Sequence, residues 1–401
     1  MKIVRLTCVV LSMMCIMLCC SSCVSSYQLN QTAIVQAIGI DKENELFQVT
    51  FQIYSPKGAG ASTAIDTSKN NSSIVTGSGE TLAAAVRAAT QKQGKVIFTG
   101  HNRILVIGRL LAQEGIENIF SYFNRNALTR QNVQVLMAEN TAEEIVTTNI
   151  EQGILAAETI RNLIENTQTN GKIYECPYFE LSKNMNLYHG ASAMPVIAKE
   201  AQTSSDNNQE GGQGGGGGDI PSVAQIKVEK TAIFNDYKLC AELDEEQTRG
   251  LLFLKDEIQK TILVANSPNT GKCSIDIYSC QTKLEPVITG QTLSFVLKGK
   301  IKASLDEVIA FEDGTMTAQD IVTLEEACKE IIQQEAQRAF TTIVNQNQSD
   351  ILYLENMVLK KDKHFWEKHQ EEFLQMLKEI SLQTELDFQI DRSGLETNEY
   401  I

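Results

Sequence analysis

The chain has 401 residues, with 35 Lys and Arg against 50 Asp and Glu, and its formal net charge is −15 at pH 7. A surface this acidic argues against nucleic acid as a partner, because phosphate neutralisation requires clustered Lys and Arg, and it argues equally against adhesion to anionic lipid. The length allows two or three domains, and a hydrophobic content of 42% is that of an ordinary globular protein.

The first 23 residues have the three parts of a secretion signal. Lys2 and Arg5 precede a charge-free apolar run at residues 6–20, and two serines then precede Cys23. A cysteine at this place is typical of a bacterial lipobox, so we predict that residues 1–22 are removed as a signal peptide and that Cys23 is acylated. The alternative is an uncleaved anchor helix over residues 6–24, which is just long enough to span a bilayer.

The cysteines outside the signal give little support to a disulfide framework. They are five in number, which is odd, and they are widely scattered along the chain. We expect mostly buried free thiols, with a single bridge between Cys273 and Cys280 as the alternative. The five are Cys176, Cys240, Cys273, Cys280 and Cys328.

Two strands are predicted at the start of the mature chain. Residues 32–40 form an apolar run that we expect to break near Gly39 and to close at Asp41. Residues 47–53 alternate apolar with polar side chains, which predicts a strand with one packed face and one wet face. A polar segment rich in Gly, Ser and Thr follows at residues 57–79 and predicts an exposed loop.

Helical and strand patterns then alternate, which predicts a mixed α+β domain over residues 23–200. Thr141 and Glu144 have the spacing of a capping box, so we expect a helix to begin there. The other predicted elements are helices at residues 81–93 and 110–123 and strands at residues 104–107 and 133–138.

A run of five glycines, residues 214–218, marks a boundary. The surrounding chain is polar and cannot bury enough apolar surface to fold, so we predict a flexible linker at residues 201–219. A phosphate-binding loop would need Gly-Lys followed by Ser or Thr, whereas Asp219 follows the last glycine.

The region after the linker has a more antiparallel pattern. We predict a middle domain at residues 220–290 and a C-terminal α+β domain at residues 291–401, so the predicted fold is three mixed α+β domains built on largely antiparallel sheets with packed helices. The elements are a meander at residues 273–303 with a turn at 289–292, helices at 318–344 and 363–380, and a final strand at 386–390.

Several strings, in this order, resemble one known family. Cys23 precedes the apolar strand that ends Gly39-Ile40-Asp41, and Gly100-His101-Asn102-Arg103 precedes Val106-Ile107-Gly108. After the linker come Thr231-Ala232-Ile233-Phe234, Arg249-Gly250-Leu251, Asp350 and the helix around Trp366. Together they are similar to the Ger(x)C family, the lipoprotein C subunits of nutrient germinant receptors in endospore-forming bacteria.

The resemblance implies a lipoprotein on the outer face of the spore inner membrane. It also implies a three-domain α+β fold and two multi-spanning partners, the A and B type receptor subunits. It implies no catalysis and no cofactor.

The residues themselves suggest no catalytic or metal site. There is no nucleophile elbow and no CxxC motif in the mature chain, and His364 and His369 lack the HExxH arrangement of zinc proteases. Arg249 and Asp244 suggest a structural ion pair near a turn. His101 and Arg103 precede a buried strand, where they either stabilise a turn or contact a partner protein.

We therefore expect a lipid-anchored, non-catalytic subunit of a germinant receptor that acts through contacts with membrane subunits. The alternative is a solute-binding lipoprotein that captures a small nutrient. That class needs a doubly wound, two-lobed architecture, which the antiparallel pattern after residue 219 disfavours.

Overall fold

The computed structural model describes residues 31–55, 71–125, 130–148, 156–166, 171–200, 224–267, 271–309 and 317–392, with residues 3–5, 7 and 13. Within these ranges the chain forms two β-sheets with helices packed against them. No helix there is both long enough and apolar enough to cross a bilayer. Cys23 and the predicted linker, residues 201–219, lie outside the described residues.

The first sheet has nine strands and contains both kinds of pairing. Its order is β3-β2-β1-β5-β6-β7-β8-β9, with β4 also paired to β1. The pairs β1–β5, β5–β6 and β6–β7 are parallel, and the flanking pairs are antiparallel. The strands are β1 (Thr32–Glu43), β2 (Leu46–Tyr54), β3 (Ser72–Gly79), β4 (Val96–Phe98), β5 (Ile104–Ile107), β6 (Gln134–Ala138), β7 (Ser192–Lys199), β8 (Ile226–Asn235) and β9 (Lys238–Leu243).

Helices cover both faces of this sheet, and a separate core cluster lies on each face. Parallel strands need such crossover connections, which explains the parallel centre of the sheet. The helices are α1 (Leu82–Gln93), α2 (Arg109–Glu114), α3 (Glu117–Asn124), α4 (Ala142–Thr147), α5 (Ala156–Asn166) and α6 (Tyr178–Leu187).

Two local expectations for β1 and β2 were wrong. β1 does not break at Gly39, which pairs with Thr50 and lies so close to α4 that an added Cβ would be 3.1 Å from the Ala142 carbonyl oxygen. The polar face of β2 is not wet, because α4 and α5 cover it. Gln52 is buried there and donates to the Val146 carbonyl at 3.1 Å.

The second sheet has the order β10-β11-β12-β13. β11 and β12 form the predicted antiparallel hairpin, with Gly290 in the left-handed region at φ 65°. β13 pairs with β12 in parallel, so a helical crossover joins them. The strands are β10 (Thr261–Ser267), β11 (Gly271–Thr289), β12 (Thr292–Ile309) and β13 (Ser381–Arg392).

The remaining helices connect and cover the two sheets. α7 (Glu245–Lys255) follows β9, and the crossover before β13 consists of α8 (Ala318–Phe340), a π-helical turn (Thr341–Gln346), α9 (Leu354–Lys361), α10 (Lys363–His369) and α11 (Phe373–Met376). The single helix predicted over residues 363–380 is therefore broken. Its apolar spacing persists across the break, where the Trp366 and Phe373 rings lie edge to face at 5.1 Å.

The predicted α+β fold class, with helices packed on largely antiparallel sheets, is confirmed, and the parallel pairs lie at the centre of the first sheet and between β12 and β13. Two of the predicted domain boundaries separate strands that the structure pairs by hydrogen bonds. β8 and β9 follow the linker and pair into the first sheet, and the β11–β12 hairpin spans residues 290 and 291. The division into 23–200, 220–290 and 291–401 stays a prediction.

Candidate functional site: the junction of the two sheets

Helix α7 lies between the two sheets and is held at its start by a capping box. The Asp244 carboxylate accepts the Gln247 backbone N–H at 2.8 Å, and the Gln247 side chain accepts the Asp244 N–H at 3.2 Å. Thr248, Gly250 and the four residues after Gly250 are all buried. A helix that is buried on several sides packs between layers rather than on a surface, so α7 is the element that both sheets share.

Gly250 sets how closely α7 and α8 approach. A Cβ added there would lie 2.2 Å from the Glu335 carbonyl oxygen, which is shorter than any real contact. Only glycine fits at this point, because the two helix backbones touch.

Arg249 is next to this contact and ties three elements together. Its Nε donates to Glu335 Oε2 at 2.8 Å, its Nη2 donates to Glu335 Oε1, and its Nη1 donates to the Ile262 carbonyl of β10 at 3.3 Å. Burial raises the pKa of Glu335, and the Arg249 guanidinium opposes that shift. A buried bidentate pair of this kind is costly to break, because removing one partner leaves the other charge uncompensated.

The sequence suggested an ion pair involving Arg249 and Asp244. Each of the two residues does form an ion pair, but its partner is a residue of α8. Asp244 accepts from Arg338 at 2.7 Å, and Arg338 also donates to Glu246 at 2.5 Å. This second link between α7 and α8 is exposed, whereas the link from Arg249 is only 11% exposed.

Lys255 ends α7 inside a cage of oxygens and aromatic rings. Its Nζ lies 2.7 Å from the Tyr174 hydroxyl, 3.1 Å from Glu257 and 3.2 Å from Glu180. It also lies over the rings of Tyr174 and Tyr353, at 4.7 and 5.5 Å from their centroids. Burial would lower the pKa of Lys255, but the neighbouring oxygens outweigh it and hold that pKa well above its ordinary value, so the ammonium stays charged.

The segment before α9 closes the junction from the other side. The Ser349 hydroxyl donates to the Phe234 carbonyl of β8 at 2.7 Å, and Asp350 accepts the N–H groups of Leu354 and Glu355 at 2.6 and 3.0 Å. Desolvation outweighs these donors and raises the pKa of Asp350 to about 7. Asp350 is therefore a buried helix cap rather than an exposed acid.

A second carboxylate cap involves Asp41 and Gly108, which belong to two of the sequence strings that resemble the Ger(x)C family. The Asp41 carboxylate accepts the N–H groups of Ala142 and Glu143 at 2.8 and 2.9 Å, and Thr141 accepts from Glu144 at 3.3 Å, so the predicted start of α4 is confirmed. Gly108 leaves room for Asp41, since an added Cβ would lie 2.0 Å from Asp41 Oδ1.

His101 and Arg103 lie in one loop but point to different surroundings. Arg103 is half-buried and donates to Gln36 Oε1 at 3.1 Å, and it pairs with Glu158 of α5 at 3.3 Å. His101 is exposed, with its ring 5.7 Å from that of Phe98. The structure therefore leaves His101, and not Arg103, accessible to another molecule.

The described histidines and cysteines form neither a metal cluster nor a disulfide. No group of three or more His, Cys, Asp or Glu there could hold a metal ion. His369 contacts Glu372 at 2.6 Å, in the turn that follows α10. Cys280 is a free thiol, so the alternative bridge to Cys273 is not formed.

Sequence reasoning missed the residues that join the sheets. Glu335 lies on the apolar side of α8, and Lys255 directly follows the apolar run of α7. The available sequence signal was a charged residue within an apolar stripe of a helix. Such a side chain is expected to be buried, and a buried charge requires a partner. The partners lie far away in sequence, so the pattern could not identify them.

Comparison with known proteins extends this picture to the whole chain. The family described as spore germination protein N-terminal domain matches residues 25–199, and the family described as spore germination B3/GerAC like, C-terminal, matches residues 229–394. Spore germination protein KC of Bacillus subtilis (strain 168) is 22% identical over 391 residues, covering 94% of this chain and 93% of that protein. Spore germination protein B3 of the same strain is 19% identical over 375 residues, covering 91% and 92%.

A solved structure has the same fold. The crystal structure of the GerBC protein superposes with a TM-score of 0.56 at 15% sequence identity, and the match covers 88% of this chain and 96% of that one. At this identity the likeness supports the fold alone.

The two ion pairs between α7 and α8 provide a matched comparison. We expect Arg249→Gln to lower the free energy of unfolding by about 3 kcal/mol, because Glu335 then stays buried without its partner. Arg338→Gln should cost less than about 1 kcal/mol, because its partners are exposed to water. Urea denaturation followed by circular dichroism measures both, and equal losses would contradict a junction centred on Arg249.

Asp350 should make stability depend on pH. With a pKa of about 7 in the folded chain, against 3.8 for an ordinary Asp carboxyl, the folded state holds a proton that the unfolded state has released. The free energy of unfolding should therefore fall by roughly 3–4 kcal/mol as the pH rises from about 4 to about 7.

Asp350→Asn should flatten that decline, while Asp362→Asn, at the exposed cap of α10, should leave it unchanged. Denaturation curves across the pH range measure the slopes. A slope that Asp350→Asn leaves intact would show that another group is responsible.

Proposed function

This chain belongs to the family of GerAC-like spore germination proteins, and we propose that it is the lipid-anchored, non-catalytic C subunit of a nutrient germinant receptor. The observation that carries the proposal is the ordered match of both family domains to residues 25–199 and 229–394. The first match begins two residues after Cys23. Eight residues lie between the residue proposed for acylation and Thr32, the first residue of β1.

Anchoring through lipid on Cys23 is supported by the signal-like start of the chain. Lys2, Arg5 and the apolar run at residues 6–20 precede two serines and Cys23. A diacylated cysteine holds a protein at a membrane surface without a spanning helix. We place the folded part on the outer face of the spore inner membrane.

A non-catalytic role is supported by the use that the fold makes of its buried charged groups. Asp41 and Asp350 cap helices, Arg249 pairs with Glu335, and Lys255 fills an aromatic cage. Each of these groups satisfies another part of the same chain. The proposed task is therefore to assemble with the multi-spanning A and B type subunits and to relay nutrient binding through protein contacts.

The anchor can be tested by one substitution with a close control. We expect Cys23→Ala to abolish incorporation of a tagged fatty acid into the protein and to impair germination on nutrients. Cys20→Ala lies in the same predicted signal and should change neither. Undiminished incorporation of the fatty acid by the Cys23→Ala chain would contradict the anchor.

Substitutions of His101 and Arg103, which lie in one loop, can distinguish contact with a partner protein from a role in stability. We propose that His101 contacts a membrane subunit, so His101→Ala should reduce co-purification of that subunit and change the free energy of unfolding by less than about 0.5 kcal/mol. Arg103→Ala should lower stability by about 1 kcal/mol, because Gln36 and Glu158 lose their partner.

Affinity purification from spore membranes and urea denaturation measure the two effects. If His101→Ala lowers stability as much as Arg103→Ala does, the loop serves the fold and the contact proposal fails.

A further inference from the structure

Positive charge is concentrated in one part of this acidic chain. Residues 81–113 contain no Asp or Glu, although the whole chain has a net charge of −15. The same residues contain five Lys and Arg: Arg87, Lys92, Lys95, Arg103 and Arg109. The net charge of the whole chain is therefore not representative of this segment, whose own charge is positive.

Three of these residues lie on α1 or directly after it, and the last of them, Lys95, lies beside the start of β1. Arg87 and Lys92 are exposed on α1, and Lys95 is exposed directly before Val96. Val96 pairs with Thr32, the first residue of β1, so Lys95 lies beside the point where the chain enters the fold. The two strands next to α1, β2 and β3, contain no acidic residue either.

Arg125 adds a further positive charge from α3, a neighbour of α1. Side chains of α1 and α3, among them Val86 and Tyr122, line a shared cavity of about 90 Å³, so the two helices are neighbours. Arg125 directly follows α3 and is exposed. We call Arg87, Lys92, Lys95 and Arg125 the basic face.

The basic face has no acidic partner within the described part of the chain. None of its four residues forms an ion pair there, and Lys92 donates instead to the Thr76 carbonyl at 2.8 Å. By contrast, Lys298 contacts Glu285 at 3.2 Å and Lys302 contacts Asp391 at 3.7 Å on the second sheet. Within the described residues the positive charge of the basic face is therefore not neutralised by an ion pair.

The position of the proposed acyl anchor on Cys23 indicates that the anions nearest to the basic face are those of the membrane surface. Eight residues lie between Cys23 and Thr32, so even a fully extended chain keeps the start of β1 within about 30 Å of the acylated cysteine. Lys95 of the basic face lies beside that same start. Surface charges act over about 10 Å in physiological salt, so the local charge, not the net charge, governs contact with a membrane.

We propose that the basic face lies against anionic phospholipid headgroups and orients the folded part on the membrane. This inference rests on the proposed acylation of Cys23. It departs from the expectation drawn from net charge, which opposed adhesion to anionic lipid. The acidic remainder of the chain reinforces the orientation, because an anionic surface repels it.

Lysine footprinting tests the orientation on the acylated protein. The protein is placed on vesicles of phosphatidylcholine alone or of phosphatidylcholine with phosphatidylglycerol, and it is acetylated with a membrane-impermeant reagent. We expect phosphatidylglycerol to slow acetylation of Lys92 and Lys95 severalfold and high salt to reverse the effect. Lys360 and Lys361, which are exposed far along the chain, should react equally on both vesicles.

The same mass spectra show the acyl group on Cys23, so the two proposals are tested separately. An acylated Cys23 with no protection of Lys92 and Lys95 would overturn the basic face and leave the anchor in place. Absence of the acyl group would instead overturn the anchor.

Variants give a second measurement. In the chain from residue 23 with Cys23→Ser, which retains every strand of both sheets, Arg87→Gln, Lys92→Gln and Lys95→Gln together should weaken sedimentation with phosphatidylglycerol vesicles about tenfold or more. Lys360→Gln, Lys361→Gln and Lys363→Gln remove the same charge elsewhere and should have little effect.

Equal loss in both triple variants would overturn the proposal. It would also be overturned if the first variant kept its vesicle binding but lost co-purification with membrane subunits, because the basic face would then contact protein.

Discussion

The close crossing of α7 and α8 at Gly250 is the constraint on which the rest of the structure depends. The two helix backbones touch there, so the charged residue beside the glycine meets its partner at short range. From this point α7 reaches the first sheet through Thr248, whose hydroxyl donates to Thr231 at 3.0 Å, and the second sheet through Asp256, which accepts the Thr282 N–H at 2.7 Å. Both sheets consequently share one hydrophobic core cluster.

The strings that resemble the Ger(x)C family have a common physical role in this chain. Asp41 with Gly108, and Asp350 with the residues after it, place a carboxylate on the N–H groups that begin a helix. Gly250 permits a close helix crossing. These residues specify how helices begin and how they pack against neighbouring elements. The contacts with other molecules that we propose involve exposed groups, His101 and the basic face.

Local patterns predicted the features that local interactions determine. The alternation at residues 47–53, the turn at 289–292 and the cap at Thr141 each depend on neighbours within a few residues, and each predicted element is present. The wet face of β2, the order of strands and the return of β8 to the first sheet depend on distant segments. The Lys255 cage joins residues from 174 to 353, so no window of sequence contains it. Cys23, the residue with the clearest sequence signal, lies outside the described residues.

The central claim is that a folded, non-catalytic subunit is held at the membrane by lipid on Cys23. Intact-mass analysis of the protein extracted from spore membranes, with an alkyne-tagged fatty acid supplied during sporulation, tests it most directly. The account predicts a chain that has lost residues 1–22 and carries the tag on Cys23. A full-length chain without the tag would contradict it, since the protein would then be held by its N-terminal apolar run.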